Sequence, residues 1–350
     1  MLTRQDRESM TLGVHQITPL NLADPIIRGT MEQLRRALTN PRLVDILRIR
    51  TAVQKYLCDF LVAEKYVHPP VYMLAGCTDP LNHWTYPARV NYYGEDISVT
   101  QSLILQKILM VMLSSADKVF WASPNIRMEM RINRKEYKYA TEFMQIDFEK
   151  RGGKYDEMLS LVSAMICGLY KYLNSEYSRE LKTVRGELLP EIKNPLPVFD
   201  AGQIMTDTAA SDYDCVERQL CSQAQGKPFI TVNMKREAYD CLDTGSGKYL
   251  NFDVIIPPFG ENVHPVECLS GAERTRSLEE LSERMQELNY PMEYFAPFFK
   301  LYQSIGNGNS KISCAGAGFG IERLTYALLG LADIHEVYPF PRMAEGRIAI

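Results

Sequence analysis

Ser313-Cys-Ala-Gly-Ala-Gly-Phe-Gly-Ile-Glu-Arg-Leu324 sets three glycines, Gly316, Gly318 and Gly320, at alternate positions. A helical pattern of Ile321, Leu324, Leu328 and Leu329 follows at once. Alternate residues of a strand share a face, so the stretch predicts a strand with one bare face, running into a helix that begins beside Arg323. Glycine weakens a strand interior and marks close approach by a ligand or another backbone. Two readings follow: a floor for a flat ligand, or a tight packing site between strand and helix.

The 350 residues are 46% hydrophobic and 23% charged, an ordinary globular composition that allows one large domain or two average ones. No apolar run approaches the ~20 residues of a membrane span. The charged start, Met1-Leu-Thr-Arg-Gln-Asp-Arg-Glu8, lacks a signal-peptide core. A cytoplasmic location without a membrane partner is therefore expected. The net charge of −4 lacks the basic footprint of a nucleic-acid binder. None of the eight cysteines is at CxxC spacing, so reduced core residues are expected rather than a zinc site or redox pair.

Helical periodicity runs through 31–65, divided at Asn40-Pro41, and through 101–114 and 276–289. A single long helix is expected over 155–182. Strand-like runs are Val90–Tyr93, Lys118–Trp121, Thr141–Phe148, Phe229–Asn233 and Tyr249–Ile256. Segment 183–226, with Pro190, Pro195 and Pro197, reads as an irregular insertion with one short helix near 212–222. Helices mixed with strands in no regular alternation predict an α+β fold.

Two further regions carry chemistry. Asp117–Glu149 reads as a long hairpin with a basic loop. Arg127 and Glu129 share a face of its first strand; Phe143, Gln145, Asp147 and Glu149 share a face of its second. A guanidinium opposite an aromatic ring and carboxylates suits a nucleotide; cross-strand ion pairs on a surface hairpin are the other reading. Asp253 and Glu267-Cys-Leu-Ser270-Gly-Ala-Glu-Arg274 place carboxylates on adjoining strands, as Mg²⁺ requires, or form a strand end before a helix start. Asp243-Thr-Gly-Ser-Gly-Lys248-Tyr249 lacks the first glycine and the Ser or Thr of a P-loop and reads as a hairpin turn.

In the order Arg127-x-Glu129, Glu142-Phe143-x-Gln145-x-Asp147, Glu267-x-x-Ser270-Gly-x-x-Arg274 and Gly316-x-Gly318-x-Gly320-x-Glu322-Arg323, the chain resembles the catalytic domain of class II aminoacyl-tRNA synthetases, aspartyl/asparaginyl branch. The first motif of that class, which mediates dimerisation, falls at about Leu47–Pro70. The resemblance implies an antiparallel sheet flanked by helices and a homodimer. An arm is assigned to 1–30 and one catalytic domain to 31–350. Too few residues precede the first motif for an anticodon-binding OB-fold, which needs roughly 100. In that respect, and in Ser123-Pro-Asn-Ile-Arg127 and the ending Pro339-Phe-Pro-Arg342, the chain is similar to the stand-alone archaeal-type asparagine synthetases.

The resemblance implies ATP and Mg²⁺ as partners and assigns roles by position. Arg127 holds the α-phosphate; Phe143 and Arg323 sandwich the adenine over Gly318 and Gly320; Glu129 fixes the base. Glu267 and Ser270 hold Mg²⁺, with Asp253 at a second ion. Gln101, Ser102, Lys107, Asp147 and Arg274 bind aspartate, the two cations gripping its side-chain carboxylate and Asp147 its α-amino group. The implied reaction is ATP-dependent formation of aspartyl-adenylate and its amidation by ammonia to asparagine, with tRNA not a partner. Transfer to another amine, a truncated tRNA-charging enzyme and a regulatory binding paralogue are the alternatives. The chain departs from the branch at Lys138-Tyr139, where Arg-His is frequent, and at Gly271-Ala272, where Gly-Gly is common.

Overall fold

The computed structural model describes residues 25–79, 81, 85–129, 136–210 and 212–341. Seven strands form its central sheet: β1 (Lys118–Ile126), β2 (Glu142–Arg151), β3 (Val198–Asp200), β4 (Phe229–Val232), β5 (Asn251–Ile256), β6 (Val266–Glu273) and β7 (Cys314–Gly320). They lie in the order β1-β2-β7-β6-β5-β4-β3, and every neighbouring pair is antiparallel except β3 with β4. The helices are α1 (Pro25–Leu38), α2 (Leu43–Ala63), α3 (Ile104–Leu113), α4 (Tyr155–Glu176), α5 (Ser178–Arg185), α6 (Ala201–Thr208), α7 (Tyr213–Gln223), α8 (Leu278–Glu287), α9 (Met292–Ile305) and α10 (Ile321–Leu329).

Period-two alternation decides what each face of the sheet does. Phe120, Ile146, Phe148, Phe319, Leu269 and Val254 lie on one face and form the main core with the apolar stripes of α2, α4 and α10. The intervening residues face the other way. Val119 and Trp121 are covered there by α3, α8 and α9. The rest of that face carries mainly polar residues and glycines, with Ala272 and Cys314 among them, and register aligns it in rows across the strands. Asp147 pairs with Gly318, Gly318 with Ser270 and Ser270 with Asp253. One row away, Glu149 pairs with Gly316 and Gly316 with Ala272.

Glu322 ties three of the sequence motifs together. Arg50 of α2 donates to its Oε1 through Nε (3.0 Å) and Nη2 (2.7 Å), and the Met144 amide of β2 donates to its Oε2 (2.8 Å). The carboxylate is almost fully buried, so these donors supply the compensation that burial demands.

Several expectations hold. The helices divide around Asn40-Pro41, the hairpin β1–β2 is present, and residues 242–249 form a small antiparallel turn rather than a phosphate loop. All eight cysteines are free. Among the described residues no helix is long and apolar enough to cross a membrane.

Others are corrected. The helix expected over 155–182 breaks at Tyr177, and the turn lets Leu181 and Val184 of α5 reach the main core. Segment 183–226 is not irregular. It supplies the sheet edge β3, then α6 and α7, whose N-caps Asp200 and Asp212 accept from the Gln203 and Cys215 amides (both 2.9 Å). Helix α9 escapes a periodicity reading because Pro297 lies inside it. The arm expected over 1–30 overlaps α1, which begins at Pro25; residues 1–24, the basic hairpin loop at 130–135 and the tail from Arg342 lie outside the described residues.

A Cβ at Gly316 would fall on the Phe148 carbonyl oxygen and the Glu149 carboxylate. Gly316→Ala is expected to cost about 1–3 kcal/mol, the range for overpacking a filled site, read as a lower urea midpoint. Gly94→Ala, where a Cβ meets nothing within 4 Å, tests only the positive φ of 82° and is expected to cost less.

Candidate active site

A cavity of about 320 Å³ opens on the polar face of the sheet. Its wall includes Arg127, Phe143, Asp147, Glu267, Ser270, Arg274, Gly318, Gly320 and Arg323 from the four sequence motifs, with Asp253 of β5, Lys107 of α3 and Ser102 just before it. Residues separated by almost 200 positions thus face one space.

The glycine row has a more particular use than a bare floor. Above Gly316 lies the Glu149 carboxylate, and above Gly318 lie Asp147 Oδ1 and Gln145 Nε2. The glycines admit long polar side chains from the neighbouring strand β2. Only at Gly320 is the space free of close contact, the nearest atom being Arg323 Cβ at 3.5 Å. The packing reading therefore holds at Gly316 and Gly318, and the strand is left open towards Gly320.

A buried ionic network occupies that packing. Arg274 forks onto Glu149, Nε to Oε1 and Nη2 to Oε2, both at 2.9 Å. Lys107, 2% exposed, lies 3.1 Å from Asp147 Oδ1 and 3.6 Å from Glu149 Oε2. Burial works against the Arg274 cation, yet its pKa is raised because the Glu149 charge and hydrogen bonds outweigh that cost. Lys107 and Arg274, expected to grip a substrate carboxylate, each already face protein carboxylates. Arg274 Nη1 alone makes no hydrogen bond and lies 4.0 Å from Asp240 Oδ1.

Gln101 also departs from its expected role. Its carbonyl accepts from Arg127 Nε (3.1 Å), and its side-chain amide donates to Thr85 Oγ1 (3.0 Å) instead of lining the cavity. Ser102 does face the cavity and donates to Asp79 Oδ2 (2.6 Å).

At the other end stand the two motif arginines. Arg127 lies over the Phe143 ring (5.2 Å to the centroid), whereas the ring under Arg323 is Tyr139 (5.5 Å), not Phe143. Arg323 Nη1 donates to the Glu267 side chain and carbonyl, both at 3.3 Å. Glu129, beside Arg127, belongs to a two-stranded pair with Thr85 and lines the same cavity. Burial opposes the Glu267 charge, but Arg323, then Lys138, Arg236 and Arg127, hold its pKa below the ordinary carboxylate value. Asp253 moves the other way, up to about 6, because burial and the Glu267 charge prevail over the Arg236 ion pair.

Asp253, Glu267 and Ser270 suit Mg²⁺ in the way that ion binds with a nucleotide, through one or two carboxylates and substrate phosphates. Among the described residues no group of three or more His, Cys, Asp and Glu makes an all-protein cage. In this arrangement Arg236 pairs with Asp253 and Arg323 with Glu267.

Sequence reasoning missed two parts of the wall. Helix α7 contributes Tyr213, Asp214 and Glu217, and the segment after β4 contributes Met234, Arg236, Glu237, Tyr239 and Asp240. The Asp212 cap marks the start of α7; Arg236-Glu-Ala-Tyr-Asp240, charged at three positions of five before a buried strand, was a readable but unused signal. Nine acidic residues line the cavity against six basic ones. The surplus shows at Glu237, pushed up to about 8 by burial and then by Asp79 and Asp240.

With that geometry in place, the chain belongs to the class II tRNA synthetases serving D, K and N, whose family model matches residues 30–344. It shares 23% identity over 322 residues with the asparagine–tRNA ligase of Thermoplasma acidophilum, covering 87% of this chain and 70% of that protein. With the aspartate–tRNA(Asp) ligase of Pyrococcus horikoshii it shares 26% over 318 residues, 87% of this chain and 69% of that one. Its fold superposes on the Pyrococcus horikoshii asparaginyl-tRNA synthetase complexed with asparaginyl-adenylate at a TM-score of 0.74 and 18% identity, covering 95% of this chain and 74% of the other. The class II synthetase-like α+β architecture is thereby established.

Two predictions follow from the charges. Arg274→Gln leaves Glu149 buried without its fork and is expected to cost about 3–5 kcal/mol, measured by chemical unfolding. Glu237 keeps its proton in the folded chain up to about 8, whereas its ordinary value is 4.5. The folded state therefore binds the extra proton between those values, and the resulting stability is lost as pH rises through about 8. Glu237→Gln is expected to gain stability relative to the parent as pH goes from 5 to 8.5; an unchanged difference in melting temperature across that range contradicts the assignment.

Proposed function

We propose that the chain is an AMP-forming ligase that activates aspartate with ATP and transfers the aspartyl group from its adenylate to an amine, ammonia in the simplest case. The observation that carries this reading is the convergence of Arg127, Arg323 and Glu267 on one cavity above the glycine strand. Family membership supports ATP-dependent adenylate chemistry, and the fold neighbour in complex with asparaginyl-adenylate supports a small amino acid as the activated group.

In the first step the substrate carboxylate attacks the α-phosphorus of ATP and pyrophosphate leaves. Arg127 stabilises the charge that develops on the α-phosphate oxygens, and Arg323 holds the nucleotide at the Gly320 end. Glu267, Ser270 and Asp253 would hold Mg²⁺, which would supply charge neutralisation on the phosphates. Asp147, whose Oδ2 is buried without a hydrogen-bond partner, receives the α-amino group. Asparagine requires the side-chain carboxylate to be the one that attacks, so Arg274 Nη1 is the donor left for the α-carboxylate. In the second step an amine displaces AMP.

A second reading, transfer to tRNA, is favoured by the names of the relatives, which are tRNA ligases. The catalytic domain is taken as one unit from 31 onward and the active form as a homodimer. Exposed Val62, Val67, Val71 and Leu74, around the end of α2 and just beyond it, support such an interface.

The test is ATP–pyrophosphate exchange with aspartate and with asparagine, followed by product analysis with ammonium and with tRNA. Exchange with aspartate and formation of asparagine are expected. Charged tRNA without asparagine selects the second reading, and absence of exchange overturns both. Arg127→Ala is expected to lower exchange by about 10²–10³-fold, the loss typical of one transition-state donor.

A further inference from the structure

Two carboxylate oxygens on the cavity wall are buried without a hydrogen-bond partner: Asp147 Oδ2 and Glu237 Oε2. An amino-acid substrate brings one α-ammonium group, which Asp147 receives under the proposed function. Glu237 then remains unsatisfied, and an orphaned buried acceptor carries the full cost of its desolvation. Among the described residues no basic side chain pairs with its carboxylate; Arg284 of α8 reaches only the Glu237 carbonyl, through Nη2 (2.9 Å). Asp240 stands three residues on in the same segment, and Asp79 faces it from the loop before α3.

The neighbouring carboxylates are no better supplied with charge. Asp79 uses Oδ1 on the Leu81 amide (3.0 Å) and Oδ2 on Ser102, both neutral donors. Asp240 Oδ2 accepts from Asn251 Nδ2 (2.7 Å) and Arg236 Nε (3.2 Å), and Arg236 is shared with Asp253. Arg236 and Arg127 pull the Glu237 pKa down, but burial, Asp79 and Asp240 win. Burial and then the same three carboxylates raise the pKa of Tyr290, and also that of Tyr239 despite Arg274. Of the three carboxylates only Asp240 has cationic partners, Arg236, shared with Asp253, and Arg274 Nη1 at 4.0 Å, in a corner within electrostatic reach of Arg127.

We propose that Glu237, with Asp79 and Asp240, docks the acceptor of the second half-reaction as a cation, an ammonium ion or the ammonium group of a small primary amine. This rests on the adenylation reading. The Glu237 carboxylate takes a proton from the bound ammonium. The freed nitrogen lone pair forms the C–N bond to the acyl carbon. The acyl C–O bond to AMP breaks with its electron pair remaining on the phosphate oxygen, and a second nitrogen proton leaves to that phosphate. The empty site holds Glu237 protonated at neutral pH, so entry of the cation expels that proton and acceptor binding tightens as pH rises towards 8.

The experiment compares the parent with Glu237→Gln and Glu237→Asp in two assays: pyrophosphate exchange with aspartate, and single-turnover consumption of preformed adenylate against ammonium chloride or methylammonium chloride at constant ionic strength. For Glu237→Gln the KM for the amine is expected to rise about 10- to 100-fold, the loss of one charged hydrogen bond, and its decrease between pH 7 and 8.5 to disappear. Exchange changes by less than about threefold, a split that a merely structural role does not produce. Response to ammonium alone identifies the free ion as acceptor; response to both identifies a primary amine; either supports the site. An unchanged amine KM with exchange intact overturns it. So does a comparable rise in the KM for aspartate in exchange, which places the α-amino group at Glu237. If Glu237→Gln does not fold, Glu237→Asp carries the same comparison, with a smaller rise in amine KM. Loss of exchange in the parent removes the adenylation reading itself, an outcome distinct from failure of the site alone.

Discussion

The fork between Arg274 and Glu149 is the constraint from which much of the cavity follows. A carboxylate buried against a sheet requires a charged partner with matching geometry, and guanidinium supplies two parallel donors. The pair also requires room above the strand beside it. Gly316 provides that room, and Gly318 does the same for Asp147. The alternating glycines and the alternating polar residues of β2 are one device, split between two strands that register brings together. Lys107 completes it by bridging Asp147 and Glu149 from a helix on the same side.

Once the network neutralises itself, the rest of the cavity divides by charge. Arg127 and Arg323 stand at one end, over aromatic rings and next to an ionised Glu267. Asp79, Glu237 and Asp240 gather in a corner that Arg127 also reaches electrostatically. That grouping offers a polyanion and a cation different partners, as the proposed sequence of half-reactions uses. It also makes substrate choice depend on the few acceptors left without partners, Asp147 Oδ2 and Glu237 Oε2, more than on the number of charges present.

The motifs were legible because each is local. Gly-x-Gly-x-Gly before an apolar helix, Arg-x-Glu before a charged turn, and Ser-Gly followed by Arg274 are short patterns on single strands. Helix α7, the strand edge β3 and the Arg236–Asp240 segment were not legible as site elements. Their residues acquire a role only by packing: α7 was legible as a short helix near 212–222 but not as a cavity wall, β3 is three residues long, and Glu237 is defined by what surrounds it. The long helix expected over 155–182 failed for a related reason. Nothing in the composition at Tyr177 forbids a helix, and the turn there is set by burial of Leu181 and Val184.

Sequence alone determined the α+β class, the order of the motifs and the residue types able to meet a nucleotide, because period-two alternation and glycine spacing are properties of the chain itself. Tertiary structure decided how those residues are spent. It paired Arg274 with Glu149 and Lys107 with Asp147, turned the Gln101 amide to Thr85, and placed Arg323 over Tyr139. It also gathered Asp79, Glu237 and Asp240 into one corner. The physical reason is that a charge has no fixed role along the chain: whether it is free for a substrate depends on which opposite charge is buried beside it.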